Sequence, residues 1–573
     1  MKKTALTLLA LAFTSAIAFA QSVDDGIKFL YYEKNKSAKE VLQKLVNDKP
    51  KDAYAIYWLG QAFIQDKDYN AAKALYQKAL TDGVNDPWIW VGSGEVELLT
   101  GGDINSAKQK FEQAITATTA TKGKTKGQPD PAILNAIGRA NAAGSGKQGD
   151  PAYGIEKLKK AAELDPKNPD IFINMGILYL KQGGEKGGDA VEAYREATVR
   201  DPKYAKAYYR TGLIYQSQNN KEAMDKWFGD AVTADATYAP VYLAYFNYYS
   251  DKDVNAAKEF LDKYIANADK DCATDFYMAD YLFRAGKYQE SINKAKEMEA
   301  GACKDYKPIS LVYAMDYGRV GDTAQAKTYW DKYLTSEDSA KIPLDAYKGA
   351  GNFLKHVKGS EQNAITYLLK AQALDTVKAN QMSYYDSIAS AYKAMNMPAE
   401  RYDYLKKSAA INPKMSNADI FNLGTAAMDA KDYTVADSMF AIYREKYPDQ
   451  ALGYSLAVKS AQAADTTGAK AVGPINDYIT FLSKDTVKNK QIIGYYHAIL
   501  GGYYANTAKD VDQAIAEFEK AVAMDPTNTQ YPAYLAQLQK FKQKANAPKG
   551  GSNGGGSKGS NGGSKAGGGK SSK

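Results

Sequence analysis

A spacing that recurs along the chain constrains its fold more than any other feature. Gly424, Ala436, Phe440 and Pro448 stand 12, 4 and 8 residues apart. Gly26, Ala38, Leu42 and Pro50 repeat those intervals, and Gly176, Ala190, Tyr194 and Pro202 repeat them with two extra residues in the first gap. Gly501, Ala514, Phe518 and Pro526 do so with one extra. Self-similarity at a period in the mid-thirties means stacked units, each burying its apolar face against the next. Such chains present a long surface, so the question of function becomes a search for a partner.

Each unit reads as two short helices. In Asp419 to Met428 apolar residues recur at helical spacing. Ala430 to Tyr433 interrupts the pattern, and Val435 to Tyr447 resumes it until Pro448, which cannot continue a helix. Small residues such as Gly424 and Ala436 belong where helices cross, and Phe440 and Tyr443 fill the space between hairpins. The best units are Ile56-Leu59-Gly60-Phe63-Ala72-Tyr76-Ala79, Phe172-Met175-Gly176-Tyr179-Ala190-Tyr194-Ala197-Pro202 and His497-Leu500-Gly501-Tyr504-Ala514-Phe518-Ala521-Pro526. Tyr385-Ile388-Ala389-Tyr392-Leu405-Pro413 keeps the spacing in degenerate form.

This pattern resembles the tetratricopeptide repeat family. The resemblance implies an all-α fold, a right-handed α-solenoid of about fourteen helix-turn-helix repeats. It covers nearly all of residues 21–545 and is thinnest around Val241 to Ala266, Asp275 to Met298 and Ile309 to Tyr333, where the Leu-Gly pair is missing. Gly- and Lys-rich insertions at Thr118 to Gln128 and Asn141 to Asp150 read as loops. Tyrosine is frequent, with 45 residues. Most of those that align, including Tyr76, Tyr179, Tyr194, Tyr392 and Tyr504, fall on core positions, which leaves a minority for a binding groove.

The two ends differ from the body. Residues 1–20 carry Lys2 and Lys3, an apolar stretch from Ala5 and the small-x-small site Ala18-Phe19-Ala20, and read as a signal peptide. No later run is long enough to span a membrane. The mature chain is therefore expected in the periplasm, or otherwise exported after cleavage near Ala20. Residues 546–573, rich in Gly, Ser and Lys, hold no side chain able to build a core and are expected to be a disordered tail. Formal net charge is +8, but Lys2 and Lys3 lie in the leader and Lys549, Lys558, Lys565, Lys570 and Lys573 in the tail. The repeat body is left near +1, which excludes a basic nucleic-acid-binding surface. The tail reads as a passive flexible end; the alternative is a weak cationic tether to acidic envelope polymers or lipid headgroups.

No catalytic constellation is visible. The two histidines, His356 and His497, lie far apart, and His497 occupies a core position of its repeat. Gly-rich stretches such as Gly183 to Gly188 follow no strand, as a phosphate cradle requires. The chain reads as a non-enzyme without cofactor or metal. A protein or peptide is the expected partner, held on the concave face formed by the first helices. The alternative is a structural envelope component anchored through the tail.

The family resemblance also suggests where binding occurs. Some relatives grip a peptide's terminal carboxylate with Lys and Asn on one first helix, Asn on the next, and Lys with Arg on the third. Asn174 stands in the second slot, and Lys206 with Arg210 in the third. Asn135 and Arg139 replace the expected Lys and Asn of the first. Lys348 and Asn352 show that missing pair, but their downstream partners are Ser387, Ala418 and Asn422. The reading is a looser anion-tolerant groove around Arg139, Asn174, Lys206 and Arg210. Lys206 and Arg210 share a helix face at i, i+4, and Arg grips a carboxylate with two parallel hydrogen bonds.

Cys272 and Cys303 are the only cysteines. One precedes the first helix of a hairpin and the other follows its second, so an antiparallel hairpin brings them to the same end. Two half-buried thiols are one outcome. An oxidising compartment favours the other, a disulfide.

Overall fold

The structure, a computed structural model, describes residues 22–336 and 342–547. The expected leader, residues 1–20, and the tail from 548 onward lie outside them. The described residues are helical, without strands, and divide into two compact units, one within residues 1–339 and one within 340–573.

In the N-terminal unit eighteen helices pair as nine antiparallel hairpins. They are α1 (Val23–Tyr31) with α2 (Asn35–Asp48), α3 (Ala53–Gln65) with α4 (Tyr69–Thr81), α5 (Pro87–Leu99) with α6 (Ile104–Thr118), and α7 (Pro131–Ala142) with α8 (Pro151–Leu164). Next come α9 (Pro169–Gln182) with α10 (Gly187–Arg200), α11 (Ala205–Ser217) with α12 (Lys221–Ala234), and α13 (Ala239–Tyr249) with α14 (Val254–Asn267). The last two pairs are α15 (Cys272–Arg284) with α16 (Tyr288–Ala300) and α17 (Ile309–Val320) with α18 (Thr323–Ser336). The C-terminal unit holds α19 (Leu344–Leu354) with α20 (Glu361–Leu374), α21 (Gln381–Ala394) with α22 (Pro398–Ile411), and α23 (Asn417–Asp429) with α24 (Tyr433–Lys446). It continues with α25 (Ala451–Ala464) and α26 (Val472–Leu482), then α27 (Thr486–Tyr503) and α28 (Val511–Met524), and ends in a single helix, α29 (Gln530–Asn546). The described residues thus hold the expected fourteen hairpins, including three across the stretches that lack the Leu-Gly pair.

Local chemistry starts and stops these helices. Asp52, Asp68, Asp130 and Asn168 accept backbone N–H bonds at their helix starts, and Pro131 and Pro169 follow two of them at the first helical position. Pro202 and Pro448 lie two residues beyond the ends of α10 and α24. Most hairpin turns need one residue in the left-handed region. Gly101, Gly286 and Gly321 supply it at some, whereas Lys67, Asn219, Asn396 and Lys431 adopt it at others.

The recurring glycine has a direct steric reason. A Cβ on Gly176 would lie 2.2 Å from the Tyr194 ring, and one on Gly60 would lie 2.0 Å from the Tyr76 hydroxyl. In these two hairpins the first helix therefore rests on the aromatic ring of the second. Tyr76 and Tyr194 are fully buried, as expected, while Tyr179, Tyr392 and Tyr504 are half-buried. His497 sits in the C-terminal core with its Nδ1 2.6 Å from Glu517 Oε2.

Cys272 and Cys303 are joined by a disulfide, with their Cα atoms 5.6 Å apart. It ties the start of α15 to the segment after α16.

Candidate functional site: a chamber inside the N-terminal unit

The first helices of successive hairpins, α1 through α15, line one chamber of about 1620 Å³. They can do so because the array curves until its first hairpin meets later ones. Tyr31 and Tyr32, at the turn after α1, pack into the apolar cluster of α11–α14. The Tyr31 ring lies 5.0 Å from that of Tyr204 and 5.3 Å from that of Tyr238. The Tyr32 hydroxyl donates to Asp235 at 2.6 Å, and Lys206 donates its backbone N–H to the Tyr31 oxygen at 3.3 Å.

All four residues expected to bind line this chamber. Arg139 and Asn174 belong to one buried network centred on Asp170. Arg139 pairs with Asp170 at 2.5 Å, donates to the Tyr57 hydroxyl at 3.4 Å, and lies 4.6 Å from the centre of the Trp58 ring. Asn135 donates to Asp170 at 3.1 Å, and Asn174 donates to Asn135 at 2.9 Å and to Asp170 at 3.2 Å. The Tyr204 hydroxyl reaches the other Asp170 oxygen at 3.4 Å. Burial works against the charge of Asp170, but Arg139, Lys206 and these donors prevail and hold its carboxyl well below the usual range. The Arg139 guanidinium is thus neutralised inside the wall.

Lys206 and Arg210 are different. Both are half-buried on α11, and neither side chain has a carboxylate partner among the described residues. The Arg210 Nε is buried without a hydrogen-bond partner. Burial pulls the Lys206 ammonium below its usual value, and Asp170 pulls it back. This pair is the cationic part of α11 in the chamber wall. Elsewhere in the wall Gln61 donates to Glu95 at 2.5 Å, and burial pushes the Glu95 carboxyl up to about 7.

Sequence reasoning missed Asp170 and the two tyrosines. Asp170 stands one turn before Asn174, but next to Asn168 and Pro169 it reads as an ordinary acid at a helix start. In the C-terminal unit Lys348 lies 5.9 Å from the Tyr384 ring centre, and the Asn352 carbonyl accepts from Ser387 at 3.0 Å and Lys355 at 3.1 Å.

An all-helical array of hairpins with its first helices turned toward a lined chamber defines a repeat protein that presents an inner face. The comparisons agree with that class. Residues 26–87 and 173–239 match a family model described as tetratricopeptide repeat, and residues 153–183 match one described as TPR repeat. These segments carry tetratricopeptide repeats. Its fold is similar to that of the C-terminal part of a TPR repeat-containing protein from Cytophaga hutchinsonii, at 24% identity over 45% of this chain and 98% of that one, with a TM-score of 0.33. Yeast Tom70 matches at 13% identity over 71% of this chain and 94% of its own, with a TM-score of 0.36. The APC/C hetero-tetramer Cut9–Hcn1 matches at 13% identity over 90% of this chain and 95% of its own, with a TM-score of 0.35. No curated protein matches the chain in sequence.

Proposed function

We propose that this chain is an exported protein- or peptide-binding scaffold of the cell envelope, which receives an anionic segment of its partner in the N-terminal chamber. The observation that carries this reading is the Lys206–Arg210 pair, two cations on adjacent turns that face a wide chamber, neither of them in a close ion pair. A peptide carboxylate, terminal or from Asp or Glu, is the group that Arg grips with two bonds and Lys with a point charge. Aromatic rings from Tyr54, Trp58 and Trp88 offer the chamber apolar area beside those charges. Export rests on the leader sequence alone. The test is capture of partners from envelope extracts by the wild-type chain, by Lys206→Ala/Arg210→Ala and by a chain ending at residue 545. The double variant is expected to lose at least tenfold in binding, equivalent to about 1.4 kcal/mol, with its melting temperature unchanged. Capture that survives the double variant but vanishes with the tail removes the chamber from the function.

A further inference from the structure

We infer that the α1–α2 hairpin is a releasable latch, which closes the chamber along its circumference and can swing away from α11–α15. The inference deepens the reading of the chamber as the binding face, since it names what controls that face, but the latch is tested without any partner.

The hairpin is held on two sides of unequal character. On one side Leu30, Ala38 and Leu42 pack with Leu59 and Ala62 of α3, an apolar contact continuous with the rest of the array. On the other side the seam is small and mixed, two rings packed against the α11–α14 cluster beside a few hydrogen bonds. It consists of the Tyr31 and Tyr32 rings, the Tyr32–Asp235 bond, the Lys206–Tyr31 bond, and a set of contacts at the start of α2. There Ser37 donates both its backbone N–H (3.0 Å) and its hydroxyl (2.6 Å) to Asp269, and Lys36 donates to the Lys270 carbonyl at 3.3 Å.

The contacts at α2 matter because this helix has no cap of its own. Its N-cap residue is Lys34, which makes no side-chain cap bond, and its first turn carries no acid. Asp269, 232 residues away, supplies the missing acceptor and the missing negative charge at the positive helix end. The receiving segment is itself fixed, because Cys272, three residues on, is tied to Cys303. A seam of two rings and a few hydrogen bonds opens more readily than the continuous apolar contact with α3. The hairpin can therefore part from α11–α15 while α2 stays seated on α3.

Hydrogen exchange on the whole mature chain decides the matter. In the wild type, the Ser37 amide, bonded by Asp269, should exchange at least about tenfold faster than amides in the middle of α7 and α9. In Asp269→Ala/Tyr32→Phe, which removes three of the seam's hydrogen bonds and no apolar volume, it should exchange about tenfold faster again, with α7 and α9 unchanged. Wild-type exchange as slow as that of α7 and α9 makes the seam a permanent joint and overturns the latch. Unchanged exchange in the variant overturns it too, because these groups then do not hold the seam. If the double variant loses protection everywhere, Ser37→Ala decides. Faster exchange confined to α1 and α2 supports the latch, and any other pattern overturns it. Since no partner is present, a chamber that binds nothing leaves the latch standing, and a latch that fails leaves the binding result intact.

Discussion

At the scale of single residues the most exacting demand is made by Asp316, on α17. It is fully buried, and neither carboxyl oxygen has a hydrogen-bond partner. The nearby Ser291 hydroxyl is committed to the Ala279 carbonyl at 3.0 Å. Burial, with Asp280 adding like charge, pushes the Asp316 carboxyl up to about 7. Between its ordinary value and 7 the folded chain keeps this proton while the unfolded chain has lost it. Stability from this group is therefore full below about pH 4, falls as pH rises, and is gone above 7. Asp316→Asn removes the titration. Its melting temperature should match that of the wild type near pH 4 and exceed it at pH 8, by a stability difference of about 2–4 kcal/mol. A gap independent of pH would refute the assignment. Glu95 contributes in the same direction, so the wild-type pH profile should remain partly sloped in Asp316→Asn and flatten further when Glu95→Gln is added. Neither residue could be singled out from the sequence. A carboxylate one position off a helix's apolar stripe looks the same whether the neighbouring hairpin covers it or not.

At the scale of elements the sequence was far more legible. Gly176 and Tyr194, Gly424 and Phe440, and Gly501 and Phe518 meet as the spacing requires, because the first and second helices of one hairpin are linked by a short turn and little can intervene. The hairpins without Leu-Gly formed as well, since second-helix residues such as Ala326, Trp330 and Tyr333 are still buried. The cysteine pair was legible for the same reason: it depends only on a hairpin being antiparallel. Its bond closes a loop of 31 residues, which by loop-closure entropy corresponds to about 3–4 kcal/mol. Cys272→Ser/Cys303→Ser should therefore lower the thermal stability of α15 and α16. It should also loosen the 269–271 segment that receives α2, which hydrogen exchange would show as lost protection in both α15 and α2. Equal protection with and without the bond would mean that the hairpin holds itself. What the sequence hid at this scale was Asp269 capping a helix 232 residues away, a contact with no local signature.

At the scale of the molecule, repeated hairpins make helix nearly everywhere, and far-ultraviolet circular dichroism should show a helical spectrum without a strand component. An appreciable strand signal would sink the repeat assignment. Ordinary repeat arrays are held by nearest neighbours. The N-terminal unit adds bonds from Tyr32 to Asp235 and from Ser37 to Asp269. Such bonds have a consequence for the time at which the unit is completed. A ribosome adds roughly 5–20 residues per second, so residues 31–37 emerge roughly 10–40 seconds before 235 and 269 exist. During that interval α2 has no acceptor at its start and the two tyrosines have no rings to rest on. The first hairpin made is thus among the last to be finished, and a nascent chain offers Tyr31 and Tyr32 to whatever attends its synthesis.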